Sequence, residues 1–188
     1  MSRCCSEEFG SDVISLNTSQ GLREILVEGA DFKFSCAHFV AFKGFRERMH
    51  GHNYTVKVKI GGPINHDGYI LDFGVVKASL RRACKALNES FIVPGHSDVL
   101  TIDTIGDQIE IRSKETGSFF SLPKSDCSVL PIVHSTAEEL AELFWGKLED
   151  DIGRDTLISR SLEWMEVTVF EAPTQAASYR KRFNINTC

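Results

Sequence analysis

No apolar run in these 188 residues approaches the roughly 18 that a membrane-spanning helix needs. The first residues, Met-Ser-Arg-Cys-Cys-Ser-Glu-Glu, also lack the apolar stretch of a signal peptide, so the expectation is a cytoplasmic protein with no membrane partner. The six cysteines, at 4, 5, 36, 84, 127 and 188, contain no CxxC pair. That spacing argues against a cysteine-built zinc site, and in the cytosol it favours reduced thiols over a disulfide framework. Cys4 and Cys5 read as part of a disordered polar tail, with acylation as the other reading. Positive charge is not in excess either. Lysine and arginine number 21 against 26 acidic residues, a net charge of −5 that argues against nucleic acid as the partner. Internal repeats and low-complexity linkers are absent.

What is there is an ordinary globular composition, 42% hydrophobic and 25% charged, in a chain long enough for one domain with a sizeable core. Residues 1–22 are polar and serine-rich and are expected to form a weakly ordered arm, leaving 23–188 as a single domain. Residues 24–40 read as one long strand. Tyr54, Val56, Val58 and Ile60 alternate on one face of a second strand, which Gly61-Gly62-Pro63 should end. Residues 74–89 predict a helix with Val75, Val76, Leu80, Ala83, Cys84 and Leu87 as its apolar stripe. Segments 107–113 and 118–122 predict a hairpin, so 99–124 reads as an insertion. Ser135 as N-cap with Glu138 three residues on forms a capping box that opens a helix to about Asp150. Residues 164–171 are a last strand, stopped near Pro173. The order predicts an α+β domain with mainly antiparallel pairing.

The chemistry concentrates in Glu47-Arg48-Met49-His50-Gly51-His52 and in His38 upstream. His50 and His52 stand two residues apart, which puts both imidazoles on one face of an extended strand. His38 lies in a second strand-like run joined to the first by a short connection. Three neutral imidazoles converging from two strands are the ligand set of a catalytic zinc site with one position open. The residues alone leave a second reading, of ordinary polar or core histidines. Cys36 shares strand parity with His38, so its sulfur either faces the metal or, as we read it, packs as a small buried group. Glu47 on its own reads as a solvated loop charge paired with Arg46 or Arg48. His66, His96 and His134 have no comparable company.

Phe34-Ser-Cys-Ala-His38, Glu47-Arg-Met-His-Gly-His-Asn-Tyr54, Asp67-Gly-Tyr-Ile-Leu-Asp-Phe73, His134-Ser-Thr-Ala-Glu-Glu139 and Val169-Phe-Glu171 stand in the order found in 6-pyruvoyl-tetrahydropterin synthases. Over about residues 30–175 the chain resembles that family. The resemblance implies the tunnelling fold: an antiparallel sheet with two helices on one face, trimers closing a β-barrel, and a homohexamer with active sites between subunits. It also implies a zinc ion and a reduced pterin substrate. Ordinary members carry a cysteine base ahead of the His-Gly-His pair, and residues 41–49 contain none. The Glu-x-x-His-Gly-His pattern resembles the PTPS-III subgroup, whose members cleave 7,8-dihydroneopterin triphosphate to 6-hydroxymethyl-7,8-dihydropterin, a folate precursor.

The resemblance therefore makes His38, His50 and His52 the zinc ligands and Glu47 the general base. It makes Glu171 the pterin anchor, a carboxylate that can accept two N–H bonds from the ring, with Ser135 and Thr136 adding polar contacts. Lys33, Lys43, Arg46 and Arg48 are triphosphate candidates by proximity. The family's Asp-His proton relay falls on Asn88-Glu89 here; Glu89 can act as acid or base, but Asn88 cannot polarise it as Asp polarises His. The alternatives to side-chain cleavage are triphosphate elimination to 6-pyruvoyltetrahydropterin and a catalytically silent zinc and pterin scaffold.

Overall fold

A computed structural model describes residues 22–183, so the expected arm at 1–22 lies outside the described residues except for its last member, the exposed Leu22. In chain order the elements are β1 (Glu24–Val27), β2 (Lys33–His38), β3 (Ala41–Phe42), β4 (Phe45–Arg46), β5 (His50–Gly61), α1 (Phe73–Lys85), β6 (Ser90–Pro94), β7 (Leu100–Ile105), β8 (Gln108–Ser113), β9 (Phe119–Pro123), β10 (Cys127–Leu130), α2 (Ala137–Ile152), α3 (Arg154–Ser159), β11 (Trp164–Ala172) and β12 (Gln175–Arg182).

The main sheet runs β10-β6-β2-β5-β11-β12, with β1 also paired to β5. The α+β expectation holds, and the sheet is mixed rather than antiparallel throughout, because β6 runs parallel to both β2 and β10. The long strand expected over 24–40 is two strands laid end to end along β5. Val27 pairs with Val58 and Lys33 with Thr55, so residues 28–32 bulge out against only two positions of β5. Glu28-Gly29-Ala30-Asp31 is the polar, small-residue interruption that makes this turn, closed by the Phe32 amide on the Gly29 carbonyl at 3.2 Å.

On β5 the predicted alternation is the observed one: Tyr54, Val56, Val58 and Ile60 are all buried. They meet Val76 and Leu80 of α1, Leu140, Phe144 and Leu148 of α2, and Met165, Val167 and Val169 of β11 in one core. Helices α1 and α2 thus cover one face of the sheet, as expected, and pack on each other. The short α3, which the pattern did not show, follows directly after α2. Strand β5 ends at the expected Gly61-Gly62-Pro63, with Gly61 as its last residue, paired with Trp164. A Cβ there would fall 2.1 Å from the Trp164 indole nitrogen, so only glycine admits that ring.

Helix α1 starts one residue before the expected position, where the Asp72 carboxylate accepts from the Gly74 amide at 2.7 Å. It ends at Lys85, short of the predicted 89; Glu89 takes a φ of 59°, which no helix continues through. The expected hairpin is a three-stranded antiparallel sheet, β7-β8-β9. Its inner residues Leu100, Ile109 and Ile111 form a second core with Phe39, Ala41, Phe91 and Val93, next to the loop that follows β2.

Candidate active site

Antiparallel pairing of β2 with β5 sets His38 opposite His50 and Cys36 opposite His52. The three imidazoles therefore emerge together at the sheet end, with ring centroids 4.7 to 5.3 Å apart. One ligand nitrogen from each lies within 4.8 Å of the others, a group that could hold a metal ion. Two of the rings are oriented by carbonyls. His38 Nδ1 lies 2.8 Å from the Ser135 carbonyl oxygen, and His50 Nδ1 lies 2.8 Å from that of Arg48. A carbonyl oxygen only accepts, so each Nδ1 carries the proton and each Nε2 keeps its lone pair for a metal. Burial holds His38 below the ordinary imidazole range, in the neutral form a metal requires, although its bond to Ser135 acts the other way. Three neutral nitrogen donors fit a tetrahedral metal with an open fourth position.

Cys36 is not in that group. Burial, and secondarily Glu171, push its thiol up to about 12, so it stays protonated and packs as the buried sulfur expected.

Glu171, near the end of β11, reaches the same place. Its Oε1 lies 3.6 Å from the Nε2 atoms of both His38 and His52 and accepts from the Tyr54 hydroxyl at 3.0 Å. Tyr54 is fully buried, with its oxygen 3.2 Å from His38 Nε2, and burial with the nearby Glu171 charge raises its pKa, so it remains a donor. Sequence reading placed Tyr54 in the core and missed this tie. Its parity with His52 was the available signal.

Glu47 follows β4. Strands β3 and β4 form a small ribbon, pairing Ala41 with Arg46 and Phe42 with Phe45, and Gly44 at its turn takes a φ of 83°. The Glu47 amide donates to the Val40 carbonyl at 2.9 Å, and the Val40 amide donates back to Glu47 Oε2 at 3.0 Å. Arg46 donates to the Glu47 carbonyl oxygen at 2.8 Å. The expected carboxylate pairing with Arg46 is thus replaced by a backbone contact, and the carboxylate is held in place by Val40. A cavity of about 240 Å³ is lined by Glu47 with His38, His50, Thr136, Glu138 and Glu171.

The start of α2 closes this cavity one residue out of the expected register. Thr136, not Ser135, is the N-cap, accepting from the Glu139 amide at 3.4 Å. Glu139 reaches back past the N-cap, accepting from the amides of Val133 and His134 at 2.7 and 2.9 Å rather than closing a capping box on Thr136. Glu138 is thereby freed to line the cavity. The N-cap can be read in two registers from His-Ser-Thr-Ala-Glu-Glu, and the tertiary bonds of Ser135 select the second. Ser135 is fully buried; its hydroxyl donates to the Phe39 carbonyl at 2.8 Å while its own carbonyl takes His38.

Four expected cations, Lys33, Lys43, Arg46 and Arg48, do not line the cavity, and neither does Glu89. Asn88 Oδ1 accepts from the Ser35 amide at 2.9 Å and the Glu89 amide donates to the Ser35 carbonyl at 2.6 Å, which ties this turn to the edge of β2. His134 sits beside Glu139, its Nδ1 3.0 Å from Oε1. Among the described residues no helix is long and apolar enough to cross a membrane.

Residues 29–182 match the family described as 6-pyruvoyl tetrahydropterin synthase. The 6-pyruvoyl tetrahydropterin synthase of Plasmodium vivax is 44% identical, with a TM-score of 0.84 over 87% of this chain and 99% of that one. A variant of that protein is described as a catalytic residue mutant in which alanine replaces a glutamate. The Plasmodium falciparum protein of the same name is 40% identical, with a TM-score of 0.84 over 86% of this chain and 99% of that one. A putative 6-carboxy-5,6,7,8-tetrahydropterin synthase of Methanocaldococcus jannaschii is 30% identical over 157 residues, covering 83% of this chain and 94% of its own length.

Proposed function

The chain belongs to the 6-pyruvoyl tetrahydropterin synthase family, and from that premise we propose a zinc-dependent lyase that cleaves the side chain of 7,8-dihydroneopterin triphosphate to give 6-hydroxymethyl-7,8-dihydropterin. That it is a lyase-type pterin enzyme follows from the family and its named relatives. The observation that carries the finer reading is the Glu47 carboxylate on the wall shared with His38 and His50, on a loop without cysteine. The catalytic glutamate named for the 44% identical Plasmodium vivax protein supports the same assignment.

His38, His50 and His52 would hold the zinc. When bound, zinc acts as a Lewis acid toward the vicinal hydroxyls of the substrate side chain. Glu47 takes the proton from the hydroxyl on the second side-chain carbon. The bond between the first and second carbons then breaks, its electron pair passes into the pterin, and the second carbon leaves as an aldehyde bearing the triphosphate. Reprotonation of the first carbon completes the hydroxymethyl product. Glu171 anchors the pterin through its N–H groups, with its Oε1 steadied by Tyr54. Thr136 borders the same cavity, whereas Ser135 serves by orienting His38.

Glu89 has no contact with this cavity within one chain, so a role for it as acid or base requires a neighbouring subunit, in keeping with the homohexamer implied by the family. We place the protein in the cytoplasm. The family name of the Plasmodium relatives favours a second reading, triphosphate elimination to 6-pyruvoyltetrahydropterin.

Product identification after incubating zinc-loaded protein with 7,8-dihydroneopterin triphosphate separates the readings. 6-Hydroxymethyl-7,8-dihydropterin is expected. Inorganic triphosphate with a pyruvoyl or carboxy pterin would overturn the cleavage assignment, and unchanged substrate would indicate a silent scaffold.

A further inference from the structure

We propose that the three-stranded insertion β7-β8-β9 is a positioning device for Glu47, acting through Phe120 and Glu115 at the two ends of the β3–β4 ribbon. This rests on Glu47 being the base, as argued above.

The ribbon cannot hold itself. It has two residue pairs, a glycine at its turn, and Phe42 and Phe45 on its outside, both about half exposed. A two-stranded ribbon this short is not stable alone in water. Its base is gripped from one side by the insertion. The Arg46 guanidinium lies over the Phe120 ring at 5.5 Å and the Phe39 ring at 5.7 Å, while those two rings stack on each other at 5.1 Å. From that position Arg46 holds the Glu47 carbonyl oxygen. The aromatic pair thus fixes a cation, and the cation fixes the peptide that carries the base.

The ribbon tip is gripped separately. Glu115, in the turn between β8 and β9, accepts from the Gly44 amide through Oε2 at 2.6 Å. Both grips come from the same insertion and fall seventy or more residues away in sequence from what they hold. Neither Phe120 nor Glu115 lines the cavity, so each acts on Glu47 at a distance from substrate.

Hydrogen exchange and steady-state kinetics on the zinc-loaded protein test this together. In Phe120→Ala, amides of residues 40–48 should exchange faster. Its kcat should fall about 10-fold to 100-fold while KM and zinc content stay within about twofold. Phe120→Tyr should restore kcat because it keeps the ring. Glu115→Ala, at an exposed turn that poses no threat to folding, should speed exchange at the ribbon tip and lower kcat by a smaller factor; Glu115→Gln, which keeps an acceptor oxygen, should recover it. In a Glu47→Ala background neither change should lower the residual rate further. Unchanged exchange over 40–48, unchanged kcat in both alanine variants, or an equal loss in the Glu47→Ala background would each overturn the proposal. Full activity of Glu47→Ala itself would instead remove the base assignment, while the exchange data still report whether the insertion grips the ribbon.

Discussion

His38 and His50 face one cavity together with Glu47, but from opposite kinds of support. His38, His50 and His52 sit on strands in the middle of the main sheet, where β2 pairs with β5 over six positions and β5 pairs again with β11. Glu47 follows a ribbon of two pairs that leans on the separate β7-β8-β9 sheet. The histidine cluster is therefore carried by strands of the main sheet, whereas Glu47, the proposed base, hangs on a ribbon beside it. The difference teaches that metal binding and proton transfer should be separable by mutation, although the groups share a wall.

The largest expected effect breaks the first half of that contrast. His38→Ala should lose both zinc and turnover, read by metal analysis and by pterin product; full zinc content in this variant would disprove the three-histidine site. Glu47→Ala should lower kcat by ~10²–10⁴ with zinc fully retained, which normal activity would contradict. Ser135→Ala probes the joint between the two regions. It leaves the Phe39 carbonyl without its hydroxyl donor but keeps the carbonyl that orients His38, so the expected loss is about 1–3 kcal/mol in denaturant unfolding with little change in zinc affinity.

The smallest effect lies outside both regions and calibrates them. The Arg160 guanidinium holds the Asp67 carboxyl down at about 2. Because the folded value is below the unfolded one, near 3.9, the stabilisation is present above about pH 4 and fades as pH falls toward 2. Unfolding midpoints of the natural chain and Asp67→Asn should differ slightly at pH 7 and converge near pH 2. Midpoints that diverge on acidification would refute the pairing.

The parts legible in the sequence were those where one face of an element is buried. Alternation along Tyr54 to Ile60 gave β5 and, by parity, the shared face of His50 and His52. Apolar periodicity gave α1 and α2. Strand β12 was not legible because most of its residues are exposed, which removes the period-2 signal and leaves the charged run typical of an edge. Strand β6 was missed for the opposite reason: Phe91, Ile92, Val93 and Pro94 are all buried, so its pattern does not alternate at all. At the site, the histidines could be grouped from spacing, but the second capping register and the Tyr54–Glu171 bond depend on contacts between residues far apart in the chain.

The Ser135 carbonyl that orients His38 lies 97 residues from it along the chain, while His50 lies directly across a hairpin. Closing a loop of that length carries a chain-entropy cost of its own, and such contacts form after local ones. The three imidazoles can thus gather as soon as β2 and β5 pair. The Ser135 carbonyl, just ahead of α2, can fix the His38 ring and its tautomer only once that distant segment has docked. If the three histidines hold zinc as proposed, the hairpin alone would present all three rings with His38 free to rotate and change tautomer, so it would bind the metal more weakly than the chain in which the Ser135 carbonyl fixes that ring.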